Sequence, residues 1–138
     1  MNAITVLNHI KSLNFPKGEY VVGSGAAMAA RGLRETRDID MVVSPTLFEM
    51  CKKNGWQVKT FPNGVEGLHK DVFELFVSVK HIGYNPSFEY LIQQSEEIDG
   101  ILFLKLSEIL KFKKAYGREK DVQDIELIKK YLKTSNKS

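Results

Sequence analysis

The sequence predicts an α+β fold: one domain built on a mixed β-sheet, flanked by helices and closed by further helices at the C-terminus. Three observations predict it. Segments of helical and of strand periodicity alternate along the first half of the chain; some neighbouring strands have no helix between them; and the last quarter reads as helix. At 138 residues, 43% hydrophobic and 27% charged, the chain is long enough to bury one core without staples. The domain is placed at 1–133, with 134–138 as a frayed tail.

The elements follow in order. Ile4, Leu7, Ile10 and Leu13 give the spacing of an amphipathic helix over 2–13, ended by Pro16 and Gly18. Tyr20, Val21 and Val22 form a short buried strand. The alanine-rich segment from about Gly25 to Arg31 has strong helix propensity, and Gly32 stops it. Asp38–Val43 is a second strand. Ser44 and Pro45 open a helix as N-cap and first residue, with Leu47, Phe48 and Met50 on its apolar side and Asn54–Gly55 at its end. Trp56–Phe61 reads as a strand, "PNGVEGLHK" as a loop or hairpin, and "DVFELFVSV" (71–79) as the clearest strand. After the "YNPS" turn come a short helix at 88–94 and a short strand at 101–104. Ser107 caps the first of two closing helices and Gly117 separates them. Val122, Ile125, Leu127 and Ile128 are the expected core positions of the second.

Composition narrows the function. Cys51 is the lone cysteine, so no internal disulfide forms and a reducing, cytoplasmic setting is expected. "MNAITVLNHIKSL" lacks the pattern of a signal peptide, and no run approaches the roughly 20 apolar residues of a membrane span. From Lys105 to Ser138 ten Lys/Arg stand against five Asp/Glu, while the chain as a whole carries +3. A basic last quarter beside a more acidic body suits a polyanionic ligand, and equally a solvated helix face.

"GSGAAM" after the first strand begins like a dinucleotide-binding glycine loop. That loop needs a third small residue for close helix–strand packing, and the position holds Met28. The acid expected about 20 residues on, at the end of the next strand, is also missing: Asp38 and Asp40 lie at that strand's beginning. No Gly-Lys-Ser/Thr follows, which excludes a P-loop.

The aspartates carry more information. Two apart on a strand, Asp38 and Asp40 share one face, with Ile39 and Met41 on the other. Two carboxylates so close repel. Protonation of one, neutralisation by Arg34 or Arg37, or a divalent cation such as Mg²⁺ would each relieve them. Gly23 and Ser24, 15 residues before Asp38, offer backbone N–H groups and a hydroxyl to a phosphate at the start of the intervening helix.

"GSGAAMAARGLRETRDIDMVV" resembles the signature of the polymerase-β-type nucleotidyltransferases: a strand, Gly-Ser, a short helix, then Asp-x-Asp on the next strand. Within it, Arg34, Thr36, Asp38 and Asp40 look like the Arg-x-Thr-x-Asp-x-Asp form of AbiEii-type toxins and small antibiotic nucleotidyltransferases. The ending Lys113, Arg118, Lys120, Asp121, Asp124, Ile125 resembles the "Lys … Arg-x-Lys-Asp-x-x-Asp-Ile" ending of the same groups. The resemblance implies a nucleotidyltransferase-like mixed sheet and Mg²⁺ (or Mn²⁺) held by Asp38, Asp40 and a third carboxylate. Glu74 is the match for the third place, with Asp71 competing. It also implies an NTP substrate contacted through Gly23, Ser24, Arg34, Thr36 and one or more of Lys113, Arg118 and Lys120, with Asp121 assisting an acceptor hydroxyl.

The expected function is transfer of a nucleotide monophosphate to a hydroxyl on a tRNA, a protein or a small molecule, with a role as the toxin of a toxin–antitoxin pair as one form. The rival is a non-catalytic nucleotide- or RNA-binding member acting as an interaction or antitoxin module; a purely structural interaction protein is a third reading. An antitoxin or a second copy of the chain are the expected protein partners, and no membrane is. His9, on the first helix's surface, His69, in a loop, and His81 lack metal-ligand spacing. Cys51, Trp56 and Tyr20 are assigned to packing.

Overall fold

The computed structural model describes residues 1–135 apart from Asn63 and Ile82, and leaves aside the side chain of Ser135. Its elements run α1 (Ala3–Leu13), β1 (Tyr20–Val22), α2 (Ser24–Ala30), β2 (Ile39–Val43), α3 (Pro45–Lys53), β3 (Gln57–Thr60), β4 (Glu66–Lys70), β5 (Phe73–Phe76), α4 (Phe88–Gln93), β6 (Ser95–Ile98), β7 (Ile101–Leu104), α5 (Leu106–Tyr116), a 3₁₀ turn (Glu119–Asp121) and α6 (Val122–Ser135). The strands form one sheet in the order β3-β4-β5-β2-β1-β7-β6. β2 runs parallel to β5, and β1 to β7; the other pairs are antiparallel. The sheet is therefore mixed, as expected. Among the described residues no helix is long and apolar enough to cross a membrane.

Period-2 alternation sets the two faces of the sheet's centre. Ile39, Met41 and Val43 of β2 and Phe73 and Leu75 of β5 are buried. They join Val6 and Ile10 of α1, Ala26–Ala29 of α2 and Leu47, Phe48 and Cys51 of α3 in one core. The opposite face of the same strands carries Asp40, Val42, Glu74 and Phe76. Local chemistry closes the helices: Ser44 accepts from the Leu47 amide with Pro45 following, Asn2 caps α1, and Asn14 and Gly117 end α1 and α5 in the left-handed conformation.

Several details differ from the sequence expectation. α1 buries Val6 and Ile10 and leaves Ile4 70% exposed, because its apolar stripe is rotated by part of a turn. The long strand expected at 71–79 shrinks to Phe73–Phe76: Asp71, at φ 54°, sits in the turn joining β4 to β5. "PNGVEGLHK" contributes β4, so His69 lies on a strand and not in a loop. β6 was not foreseen, since "SEEI" shows exposed charges on an edge strand where apolar alternation was the signal sought. α5 starts at Leu106 after Lys105, without a side-chain cap; Ser107 is already inside the helix. In α6, Ile128 is buried but Val122 is 55% and Leu127 37% exposed, and Met50 in α3 is exposed as well. α6 runs through Ser135, and the rest of the expected tail, 136–138, lies outside the described residues.

Candidate active site

The site grows from one line of residues across the sheet. Asp40 of β2 and Glu74 of β5 are register partners in a parallel pair. The Gly23 amide donates to the Asp40 carbonyl at 3.0 Å, which extends the line to the mouth of α2. Ser24 follows at φ 49°, a conformation that non-glycine residues rarely adopt, so the chain turns sharply from β1 into α2. Gly23, Ser24, Asp40, Glu74, Arg118 and Lys120 all line one cleft of about 450 Å³. Asp71 is exposed in its turn, and Glu74 is the acid beside Asp40.

The electrostatics of that floor are unusual. The Asp40 carboxyl is pushed up to about 7, first by burial, then by the neighbouring Glu74 and Asp38 charges; Lys113 opposes the shift. Asp38 itself is exposed, just before β2, and its carbonyl accepts from the Thr36 hydroxyl at 3.0 Å. Lys59 on β3 comes within 3.9 Å of Glu74. Of the three ways to relieve Asp38 and Asp40, neutralisation by Arg34 does not operate, because Arg34 is engaged elsewhere.

That engagement is a buried ion-pair network. Arg34 makes a two-pronged contact with Asp124, at 2.7 and 2.9 Å, and donates to the Glu35 carbonyl. Lys113 reaches both Asp124 and Asp121 at 3.0 Å, and Arg118 closes on Asp121 at 2.7 Å. Lys113 and Asp121 are each 2% exposed and Asp124 8%. Burial alone would raise both aspartates; the hydrogen bonds from Arg118 and Lys113 to Asp121, and from Arg34 and Lys113 to Asp124, hold them below the usual carboxylate range. In the sequence Lys113 falls near the boundary between the inward and outward faces of its helix, and the resemblance implies a triphosphate contact for Lys113, Arg118 or Lys120 and an acceptor role for Asp121. In the structure Lys113 and Asp121 bind each other at 3.0 Å and are not among the residues lining the cleft, although Arg118, which does line it, is bonded to Asp121. Thr36 is likewise buried under α2, while Arg118 and Lys120 do reach the cleft.

Whether a divalent cation fits is a question of donor chemistry. Asp40, driven toward its protonated form by burial and then by the Glu74 and Asp38 charges, makes with those two acids a hard-oxygen set whose charge a cation would relieve. Among the described residues no three His, Cys, Asp or Glu side chains stand in a ready-made metal cluster. The residues therefore suit the ion chemically but are not gathered around it.

Sequence reasoning missed the cleft's aromatic walls. Phe61, Phe76, Tyr84, Phe112 and Tyr116 line it. From the sequence, Phe112, Ala115 and Tyr116 are positions of the first closing helix that can pack inward. A second omission is Glu108, 1% exposed on α5 and bound by the hydroxyls of Tyr84 at 2.7 Å and Tyr90 at 2.9 Å. Its position between the buried Leu106 and Ile109 was the available signal.

The fold is that of nucleotidyltransferase structures. The chain resembles TM1012 from Thermotoga maritima, described as a candidate nucleotidyltransferase, with TM-score 0.57, 19% identity, and 97% of this chain and 96% of that one covered. It also resembles ANT(2")-Ia, solved with adenylyl-2"-tobramycin, with TM-score 0.53, 17% identity, and 92% and 85% covered. At such identities the likeness is one of fold. No family model and no curated protein matches the sequence.

Proposed function

We propose that the cleft binds a nucleoside triphosphate and transfers its nucleotide monophosphate to an acceptor hydroxyl, releasing pyrophosphate. The observation that carries this is the placement of Asp40 beside Glu74 on the cleft floor, one backbone hydrogen bond from Gly23–Ser24. The nucleotidyltransferase fold supports it. Asp38, Asp40 and Glu74 would hold Mg²⁺ or Mn²⁺, which when bound screens the phosphate charge and polarises the α-phosphorus for in-line attack. Gly23 and Ser24 would steady the phosphates. Arg118 and Lys120 would offset their remaining charge. The sequence resemblance to AbiEii-type toxins supports a finer form, a toxin held in check by an antitoxin, acting on a tRNA, a protein or a small molecule in the cytoplasm.

A second reading is favoured by one observation. Asp121, the residue expected to assist the acceptor hydroxyl, is spoken for by Lys113 and Arg118. A chain that binds nucleotide without transferring it would tolerate this. Incubation with each labelled NTP, Mg²⁺ and a cell extract separates the two. A labelled product that disappears with Asp38→Ala supports transfer; Mg²⁺-dependent NTP binding with no labelled product supports the binding module.

A further inference from the structure

The core leaves five aromatic side chains unexplained. Phe61, Phe76, Tyr84, Phe112 and Tyr116 are half-buried and line the cleft. Every other Phe and Tyr belongs to the core or packs against it. Burying so much apolar ring surface elsewhere while leaving these rings along a cleft points to a ligand with a matching surface.

The rings form two banks. Phe61 and Phe76 meet at a 56° tilt with centroids 4.7 Å apart, beside Gly67 of β4. A Cβ on Gly67 would stand 2.6 Å from the Phe61 ring and 2.9 Å from the Leu75 carbonyl oxygen, so the bare backbone is what lets Phe61 lie against the sheet. The second bank comes from α5 and the segment before α4. Phe112 meets Tyr116 edge to face at 4.5 Å and Tyr84 at 5.5 Å, and the Arg118 guanidinium stacks on Tyr116 at 4.4 Å.

We infer that these banks seat the planar base of the donor nucleotide, an inference that rests on the nucleotide reading of the cleft's polar end. One lining holds both the polar Gly23, Ser24, Asp40 and Glu74 and the five rings, the two kinds of surface that the triphosphate and the base of one molecule need. Its volume of about 450 Å³ is that of a site for one small ligand. The Tyr84 hydroxyl donates its hydrogen bond to Glu108, leaving that ring to act through its face. Affinity then follows stacking area more than the hydrogen-bond pattern of the base, and purines bind better than pyrimidines.

Calorimetric titration of the full chain in Mg²⁺ with ATP, UTP and inorganic tripolyphosphate tests this. In the wild type ATP binds more tightly than UTP, and tripolyphosphate most weakly. Phe61→Ala and Phe112→Ala each weaken ATP about tenfold, the scale of one lost stacking partner, and leave tripolyphosphate unchanged; Phe61→Tyr keeps ATP affinity. Melting curves verify that both alanine variants fold, as expected for rings outside the core. An ATP-to-tripolyphosphate ratio unaltered in both variants overturns the aromatic seat. Tripolyphosphate binding as tightly as ATP overturns the seat while sparing the phosphate site. A wild type that binds neither ligand removes the nucleotide reading and this inference with it.

Discussion

Asp40 lies opposite Glu74 across the parallel strands β2 and β5, and burial, followed by the Glu74 and Asp38 charges, raises its carboxyl to about 7. Below about pH 4 this group is protonated in both folded and unfolded chains. Between about 4 and 7 the unfolded chain has released the proton and the folded chain retains it, so stability falls as pH rises; above 7 the full penalty applies. At about 1.4 kcal/mol per unit that penalty is on the order of a few kcal/mol. Asp40→Asn removes it. In chelator-treated protein the substitution is expected to raise Tm at pH 8 and to lose that advantage at pH 4. An equal shift at both pH values would show that burial and the neighbouring charges do not strain the carboxyl.

The same charge cluster gives a functional prediction. Asp38 is exposed and Asp40 contributes charge, not apolar packing. Asp38→Ala is expected to lower nucleotidyl transfer at least about a hundredfold, the scale of losing one charge-stabilising group, with little change in Tm. Transfer rates under saturating NTP are the measurement. Wild-type activity in the variant would remove the carboxylate mechanism.

Arg34, Lys113, Asp121, Asp124 and Arg118 predict a different phenotype. Removing one partner of a buried pair strands the others, at a cost of about 3–5 kcal/mol. Asp124→Asn is therefore expected to lower stability by that order in urea unfolding, and Arg34→Lys, which keeps charge but loses the two-pronged contact, by less. Asp121 and Asp124 are held below their ordinary range. The stability they supply is present above about pH 4 and is lost as pH falls through their folded values, opposite in sign to Asp40. Insensitivity of Asp124→Asn to urea would mean that the network is a surface feature.

How far the sequence disclosed all this depended on the range of the interaction. Asp38 and Asp40, Gly23–Ser24 and the N-cap at Ser44 are local patterns, and strand alternation alone put both aspartates on one face. Glu74 could be proposed beside them but not separated from Asp71, because that choice depends on the register of β2 against β5 and on a turn at Asp71 that shortens the strand. Lys113 looked like a half-exposed helix lysine, since its partners Asp121 and Asp124 lie beyond a helix break whose geometry the sequence does not state. The aromatic lining was invisible for a similar reason. Phe61 and Phe112 are about 50 residues apart, and a ring beside a cleft carries the same local pattern as a ring in a core.

Gly25 provides the last prediction. It stands in α2, where a glycine-to-alanine change ordinarily stabilises by about 0.5–1 kcal/mol. Here a Cβ would fall 2.7 Å from the Thr36 hydroxyl and 3.3 Å from the Arg34 guanidinium. Neither neighbour can yield cheaply. The Thr36 hydroxyl is bonded to the Asp38 carbonyl, and Arg34 is fixed by both oxygens of Asp124. The helix propensity gain is thus outweighed by an overpacking cost of about 1–3 kcal/mol, and Gly25→Ala should lower Tm. Because the displaced group holds the segment leading into Asp38, the variant should also lose Mg²⁺-dependent NTP affinity in calorimetry. Gly32→Ala, at φ 74° with open space around its Cα, is the control: it should lose stability through backbone strain alone and keep its affinity. A Gly25→Ala protein that melts higher than wild type would show that α2 does not rest on the Arg34–Thr36 segment.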